Sequence, residues 1–179
     1  MIMYGSVREK IINDFSEWTA FSATRSGCPV KSRDAVYPLI RTPRYQSILS
    51  GTGIETTEFD DWHLESTLAI CRMEPRFPVG WAAKLINIYL KTMVYLAEVG
   101  RANLVQCIHP PIDNELWKGI YIEYKHRPDI ISKTHIVNRI KEINTYDKYR
   151  TIIQGCRLIA KDRGCYLIEV EELWQGNVI

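Results

Sequence analysis

The feature that most constrains the fold is a long run of mostly apolar residues at positions 79–99, closed by Gly100. A helix built from this run is apolar on nearly every side, as expected for a helix in the middle of a domain. The glycine that follows it is typical of a helix C-terminus. The sequence therefore predicts one continuous helix over residues 79–99 as the centre of the fold.

Three polar residues interrupt this apolar run on one side. Lys84, Asn87 and Lys91 are spaced i, i+3 and i+7, so their side chains project from the same face of the helix. Burying an uncompensated ammonium or amide costs several kcal/mol, so this face must meet water, a partner carboxylate or a ligand cleft. We favour the cleft, because the apolar remainder is too wide for an edge helix. The alternative is the solvent-facing edge of a peripheral helix.

The rest of the chain also shows helical patterns. Val7, Ile11, Phe15 and Trp18 repeat at the spacing of an amphipathic helix, with Ser6 as its cap. Five further helices are predicted, beginning at Thr42–Pro43, at Thr56 or Thr57, after Pro111, at Asn144 or Thr145, and near Leu167. The second of these turns Phe59, Trp62, Ala69 and Ile70 inward, and the third carries Ile112, Leu116 and Ile120 on one side. The fourth ends at Gly164. Short strands are possible at residues 104–105, 120–122 and 166–168. The overall prediction is an all-α fold, a compact multi-helix bundle in one domain spanning residues 1–179.

Composition narrows the class of protein. The chain has 179 residues, of which 46% are hydrophobic and 25% charged, which excludes a disordered, collagen-like or rod-shaped protein. No wholly apolar run approaches the ~18 residues that span a membrane. The five cysteines are odd in number and scattered, and the N-terminus lacks the pattern of a signal peptide. These features predict a cytoplasmic protein with reduced thiols and no membrane partner.

The net charge of +2 hides an uneven distribution of charge along the chain. Residues 25–44 contain five bases and one acid, and residues 118–150 contain eight bases and four acids, whereas residues 55–74 contain six acids and one base. Two basic segments on a compact chain could form one surface that faces a phosphate backbone. Ordinary solvated surface is the alternative, and charge alone does not separate the two.

A second notable feature is the segment at residues 107–114. Pro110 and Pro111 stiffen it, and Asp113 follows at the start of the next helix. A carboxylate there can cap free backbone N–H groups and meets the positive end of the helix dipole. Taken alone, Asp113 is an ordinary helix cap, so any further role depends on what lies beside it.

Together, two segments resemble a known family. Residues 77–84, Phe-Pro-Val-Gly-Trp-Ala-Ala-Lys, followed by Pro111-Ile112-Asp113, resemble the helix-hairpin-helix superfamily of DNA glycosylases. That family carries a Leu-Pro-Gly-Val-Gly hairpin before a helix and a catalytic aspartate at the start of a later helix. The resemblance implies that Gly80 approaches a DNA phosphate and that Asp113 stabilises the cationic sugar left when a base departs.

The chain also differs from the family pattern. The first hairpin glycine is absent, and Ala82 stands where bifunctional members carry a lysine, with Lys84 further along the helix. Asn114 and Glu115 replace the Thr-His that follows the family's aspartate, and the gap from Gly80 to Asp113 is longer than in common members. Ala82 at the family's lysine position favours a monofunctional glycosylase, which removes a damaged or modified base without cutting the strand.

The resulting hypothesis assigns a role to each candidate residue, without metal or organic cofactor. The residues are Asp113 and Lys84 for catalysis; Trp81, Asn87, Lys91, His109, Trp62 and Tyr89 for the flipped base; and Gly80, Arg76, Lys31, Arg33 and Arg44 for DNA. A metal site around Asp60, Asp61, His63 and Glu65 is the weaker interpretation of what is equally an exposed acidic helix face. The alternative function is a non-enzymatic helical module that binds nucleic acid or protein in a defence, toxin or phage-related system.

Overall fold

The computed structural model describes residues 6–24 and 27–176, and it is all-α, as predicted. The α-helices are α1 (Val7–Ser22), α2 (Arg33–Ile40), α3 (Gln46–Leu49), α4 (Thr56–Met73), α5 (Val79–Leu90), α6 (Leu104–Cys107), α7 (Asn114–Tyr124), α8 (Pro128–Thr134) and α9 (Tyr146–Arg163). One π-helical segment (Lys91–Leu96) and two 3₁₀ segments (Ile140–Glu142 and Leu167–Leu173) complete the helical structure. Within the described ranges the only β-type pairing is an isolated bridge between Gly53 and Ala102.

Helix α5 lies between two apolar clusters, which confirms its predicted central position. Trp81, Leu85 and Ile86 pack into the first cluster, with side chains of α1, α2 and α4. Val79 and Ala83 pack into the second cluster, which α7, α8 and α9 supply. Because both clusters bury side chains of the same helix, α5 joins the two halves of the core.

The predicted continuous helix over residues 79–99 is wrong at its C-terminal end. Regular α-helix stops at Leu90, and a π-helical segment continues to Leu96. The hydroxyl of Thr92 donates to the carbonyl oxygen of Ile88 at 3.2 Å, a bond that competes with the helical ladder where the helix widens. The backbone then turns at Glu98 and Gly100, both with positive φ.

Several local predictions are confirmed and others are not. Ser6 caps α1 and Thr145 caps α9, while Gly164 ends α9 in the left-handed conformation. The segment at Thr42–Pro43 is a turn between α2 and α3, rather than the start of a helix. The three possible strands are helical instead: they lie in α6, in α7 and at the start of the last 3₁₀ segment, where Leu104, Ile120 and Ile168 are buried.

Helix α1 is oriented opposite to the usual arrangement, in which an apolar stripe faces the core. Its buried residues are Asn13, Ser16, Glu17 and Ala20, whereas the stripe formed by Val7, Ile11, Phe15 and Trp18 is exposed. The buried polar groups have partners. Arg41 donates to both carboxylate oxygens of Glu17 at 2.9 and 2.6 Å, and the Tyr89 hydroxyl donates to Asn13 at 2.7 Å.

Two further expectations concern the thiols and the membrane. All five cysteines are free thiols, as expected for a protein with reduced cysteines. In the described part of the chain, no helix combines the length and apolar character needed to cross a membrane.

Candidate functional site

Asp113 and Lys84, the two candidate catalytic residues, come together at the start of α7. The ammonium of Lys84 lies 3.2 Å from Oδ2 of Asp113, and the two side chains are only 11% and 22% exposed. Oδ1 of Asp113 accepts from the backbone N–H groups of Glu115 and Leu116 at 3.1 and 3.0 Å. Asp113 is therefore both a helix cap and one half of a partly buried ion pair.

Trp174 covers this ion pair, a contact that the sequence did not predict. Its indole Nε1–H donates to Oδ1 and Oδ2 of Asp113 at 3.1 and 3.2 Å. The ammonium of Lys84 also lies 5.3 Å from the centre of the Trp81 ring, within cation–π range. The carboxylate is thus held by backbone, ammonium and indole donors, so its position is fixed before any ligand arrives.

Next to this pair, Lys91 contacts a second carboxylate. Its ammonium lies 2.7 Å from Oε1 of Glu171, and burial raises the pKa of Glu171 against the opposing effect of Lys91. Lys91, Glu171, Trp174 and Tyr95 line a groove of about 580 Å³. Lys84 and Lys91 thus face partner carboxylates. The predicted opening of the polar stripe to a cleft holds at Lys91, whereas Lys84 is not among the residues that line this groove.

Asn87, the middle residue of the stripe, is buried instead of facing a cleft. Its Nδ2 donates to the carbonyl oxygen of Pro110 at 3.1 Å and to the Tyr149 hydroxyl at 2.9 Å. Its Oδ1 lies 2.9 Å from Nε2 of His63, which must therefore carry the proton. Nδ1 of His63 then accepts from the Tyr146 hydroxyl at 2.8 Å. Asn87 was predicted to contact the flipped base. Because it is buried, its role is instead to hold helices α4, α5 and α9 together through these hydrogen bonds.

His109 extends the same network towards the surface. Because Tyr149 accepts from Asn87, its hydroxyl donates to Nδ1 of His109 at 3.0 Å, and Nε2–H of His109 donates to Asp60 at 3.0 Å. Burial lowers the pKa of His109 despite the Asp60 carboxylate, so the ring is neutral. Burial alone would raise the pKa of Asp60, but His109 and Arg157 together lower it. His109 is 2% exposed, and all of its polar contacts lie inside the protein.

The aromatic residues predicted to hold a base are core residues. Trp81 and Tyr89 are buried, and Tyr89 stacks on Tyr45 with ring centres 3.9 Å apart. Trp62 packs against Tyr45 and Phe59 at 5.8 Å. Of the three, only Trp81 contacts the Lys84–Asp113 pair, through the Lys84 ammonium. The aromatic side chain that touches Asp113 itself is Trp174.

The predicted phosphate contact of Gly80 is wrong for this conformation. Gly80 is buried, and its N–H donates to the carbonyl oxygen of Ile143 at 2.9 Å. A Cβ at this position would lie 2.3 Å from the carbonyl oxygen of Ile140. The glycine is thus explained by close packing against the segment around residues 140–143, and its amide has a partner within the protein.

The other predicted DNA contacts lie at the surface, with different degrees of pairing. Lys31, Arg33 and Arg44 are exposed, and the guanidinium of Arg33 lies 5.0 Å from the centre of the Tyr37 ring. Arg76 is exposed but bonded to Glu74 at 2.6 Å. Arg25, which contributed to the basic segment at residues 25–44, lies outside the described residues.

The second basic segment, residues 118–150, is partly neutralised within the protein. Lys118 pairs with Glu115, Arg150 pairs with Asp147, and Arg127 contacts two carboxylates. Internal pairing reduces the positive potential available to a phosphate backbone. Whether the two basic segments form one surface stays a prediction.

Metal binding has little support in the described part of the chain. No group of three or more His, Cys, Asp or Glu side chains is arranged there to hold a metal ion. Asp60 and His63, two of the residues considered for a metal site, belong instead to the buried hydrogen-bond network. There the Arg157 guanidinium donates to both carboxylate oxygens of Asp60 at 2.8 Å.

Sequence reasoning missed the two residues that complete the candidate site, Trp174 and Glu171. They follow Asp113 by about sixty residues, so no local spacing connects them to it. The only available signal was a tryptophan among acidic residues near the end of the chain. No protein-family model, curated protein or solved structure matches this chain, so the candidate site is interpreted from its own geometry.

Proposed function

We propose that this chain is a DNA glycosylase-like enzyme that removes a damaged or modified base by cleaving its N-glycosidic bond. The observation that carries the proposal is the convergence of Lys84 and Asp113 at the start of α7. Their order along the chain follows the family's arrangement of a hairpin helix and a later catalytic aspartate. DNA is the proposed partner and the cytoplasm the proposed location.

In the proposed reaction, the negative charge of the Asp113 carboxylate stabilises the positive charge that develops on the sugar. The bond between C1′ of the sugar and the base nitrogen breaks, the base takes the bonding electrons, and positive charge develops on the sugar. A carboxylate already fixed by its helix cap stabilises this charge without reorganising. Water adds to C1′, and its proton goes to the departing base. No metal or organic cofactor enters this scheme.

Lys84 and Trp174 would control access to the carboxylate. Trp174 bonds to Asp113 and lines the adjoining groove with Lys91, which makes it the side chain against which a flipped base would stack. Lys84 is the neighbouring cation that a DNA phosphate or a departing base could engage. Because Ala82 is fully buried, the family's lysine position has no access to substrate here.

The test is base release from duplex DNA. Oligonucleotide duplexes that each carry one modified base (uracil, 8-oxoguanine, an N-alkylated purine or a 5-substituted pyrimidine) are incubated with the protein, and alkali then reveals abasic sites. We expect release from at least one duplex, lowered roughly 100- to 1000-fold by Asp113→Asn, as for loss of a preorganised electrostatic group. Asp129→Asn, a change of an exposed aspartate in the first turn of α8, is the matched control.

Borohydride trapping addresses the lyase question. A monofunctional enzyme gives no trapped protein–DNA adduct, and Lys84→Met retains part of its base release. A trapped adduct that disappears in Lys84→Met would assign Lys84 the nucleophile role. Failure to release a base from any of the duplexes, under conditions where the protein binds them, would contradict the proposal.

The alternative is a non-enzymatic module that binds nucleic acid or protein. It is favoured by one observation: Lys84, Asp113 and Trp174 satisfy one another, as the members of a purely structural cluster would. Under this alternative, Asp113→Asn leaves DNA binding unchanged and no duplex loses a base. The same panel of duplexes therefore separates the two functions.

A further inference from the structure

Helix α1 presents a continuous apolar stripe to solvent. The side chains of Val7, Ile11, Phe15 and Trp18 are 77%, 62%, 52% and 49% exposed, and they share one face of the helix. The Phe15 and Trp18 rings stack on each other with centres 5.6 Å apart. Single exposed apolar residues are ordinary, but a contiguous row of four large ones on one helix marks an interaction surface.

Contacts on the opposite face of α1 keep the apolar stripe exposed to solvent. The opposite face carries Asn13, Ser16 and Glu17, whose polar atoms bond to other groups inside the protein. Turning α1 to bury the stripe would break the bidentate Arg41–Glu17 contact and expose side chains that are now paired. The stripe is therefore covered only if something else packs against it.

The charges beside the stripe indicate what that partner is. At 100° per residue, Lys10 and Asp14 lie along one flank of the stripe and Arg8 along the other. In an antiparallel helix pair related by a two-fold axis, each flank meets the same flank of the other copy. Lys10 and Asp14 form an ion pair within each copy. In the dimer, Lys10 of each copy also faces Asp14 of the other, so the four charges alternate in sign along the shared flank.

The apolar positions match under the same symmetry. A two-fold axis near residues 12–13 places Val7 opposite Trp18 of the second copy and Ile11 opposite Phe15 of the second copy. Small aliphatic side chains thus meet large aromatic ones along the whole stripe. A membrane surface fits less well, because the outer part of α1 carries two bases, Arg8 and Lys10, and two acids, Glu9 and Asp14.

We propose that α1 is the interface of a symmetric antiparallel homodimer of this chain. One helix face is smaller than the ~800 Å² per partner of a standard interface, so we expect a weak, transient dimer. The proposal rests on the geometry of α1 and is independent of the proposed glycosylase activity.

The test is sedimentation velocity of the full chain over about 1 to 300 μM, a range wide enough to detect a weak, reversible dimer. We expect reversible dimerisation that weakens at least tenfold in Ile11→Glu. Ile122→Glu is the matched control, because Ile122 on α7 is also 62% exposed but lies outside α1. Circular dichroism checks that both variants keep their helical content.

Charge reversal tests the antiparallel register. Lys10→Glu and Asp14→Lys should each weaken the dimer, and the double variant should restore it, since the cross-pairs are then re-formed with opposite sign. A chain that stays monomeric at 300 μM, or a dimer that Ile11→Glu leaves intact, would overturn the proposal. So would binding of the monomer to phosphatidylcholine–phosphatidylserine vesicles through Ile11, since that outcome makes the stripe a lipid-binding surface.

Discussion

The Lys84 ammonium lies 3.2 Å from the Asp113 carboxylate, which joins the central helix α5 to the start of α7. The two residues are 29 positions apart in the sequence, and the Trp174 indole N–H donates a hydrogen bond to the Asp113 carboxylate. Removing either charge therefore affects both the packing of two helices and the proposed chemistry. The two effects separate only if stability and activity are measured on the same variants.

Asp113→Asn should lower the free energy of unfolding by about 1–3 kcal/mol, because asparagine still caps the helix but leaves a largely buried ammonium without its counter-ion. The double variant Asp113→Asn/Lys84→Met should be more stable than the sum of the single effects predicts, since it removes the unpaired charge. Urea unfolding of the four proteins measures this coupling. Strictly additive effects would mean that the ion pair contributes nothing to stability.

Gly80→Ala should destabilise the protein by more than about 2 kcal/mol, because overpacking against the fixed backbone near Ile140 forces helices apart. Gly53→Ala is the control, since a Cβ there meets its neighbours at ordinary contact distance. Urea unfolding measures both. A stable Gly80→Ala variant that loses only DNA affinity would instead restore the phosphate-binding role of Gly80.

The affinity for duplex DNA should fall steeply between roughly 50 and 200 mM salt, as release of counterions requires. Replacing Arg33 and Arg44 together by alanine should reduce the slope of log affinity against log salt by about 2, if each contacts one phosphate. Arg127→Ala is the control, because Asp129 and Asp162 already hold its guanidinium. Fluorescence anisotropy with a labelled duplex gives the slopes, and an affinity independent of salt would argue against a phosphate-facing surface.

The sequence predicted the helical class, the central position of α5 and the caps at Ser6 and Thr145. These features depend on periodicity and on cap chemistry, which are local. The orientation of α1 was not predictable in the same way, because its polar face is buried by partners far along the chain, such as Arg41 and Tyr89.

Asn87 shows the same limit at a single residue. Its place in a polar stripe predicts contact with water or a ligand, since a lone buried amide is costly. The cost is largely offset because the Pro110 carbonyl and the Tyr149 hydroxyl accept both amide N–H bonds and His63 donates to the amide oxygen. Those partners come from three different segments, so the spacing of α5 alone cannot indicate them.

Asn87→Leu should therefore lower the free energy of unfolding by roughly 3–5 kcal/mol, because it leaves several buried partners unpaired at 1–3 kcal/mol each. The variant keeps the volume of the site, so the loss reports hydrogen bonding rather than a cavity. Gln154→Ala, at an exposed position on α9, is the control and should change stability by less than about 0.5 kcal/mol. Equal effects of the two variants would contradict the network.

The two buried histidines of this network should make the protein sensitive to mild acid. Burial lowers the pKa of His63 well below its usual 6.5 and lowers that of His109 as well, and the hydrogen bonds described above require both rings to be neutral. Below about pH 6.5 the unfolded chain takes up protons at these positions before the folded protein does. The free energy of unfolding therefore falls as pH decreases from 6.5, by up to about 1.4 kcal/mol per pH unit for each histidine.

Urea unfolding between pH 5.5 and 7.5 measures this slope. His63→Gln and His109→Gln should each reduce it by removing one group that protonates only on unfolding, even though both lower stability at pH 7.5. Gln154→Ala, which removes no titratable group, is the control and should leave the slope unchanged. A slope that neither His63→Gln nor His109→Gln reduces would show that the folded protein tolerates charged imidazoles in this network, and the proton arrangement assigned to Asn87 and Tyr149 would then be wrong.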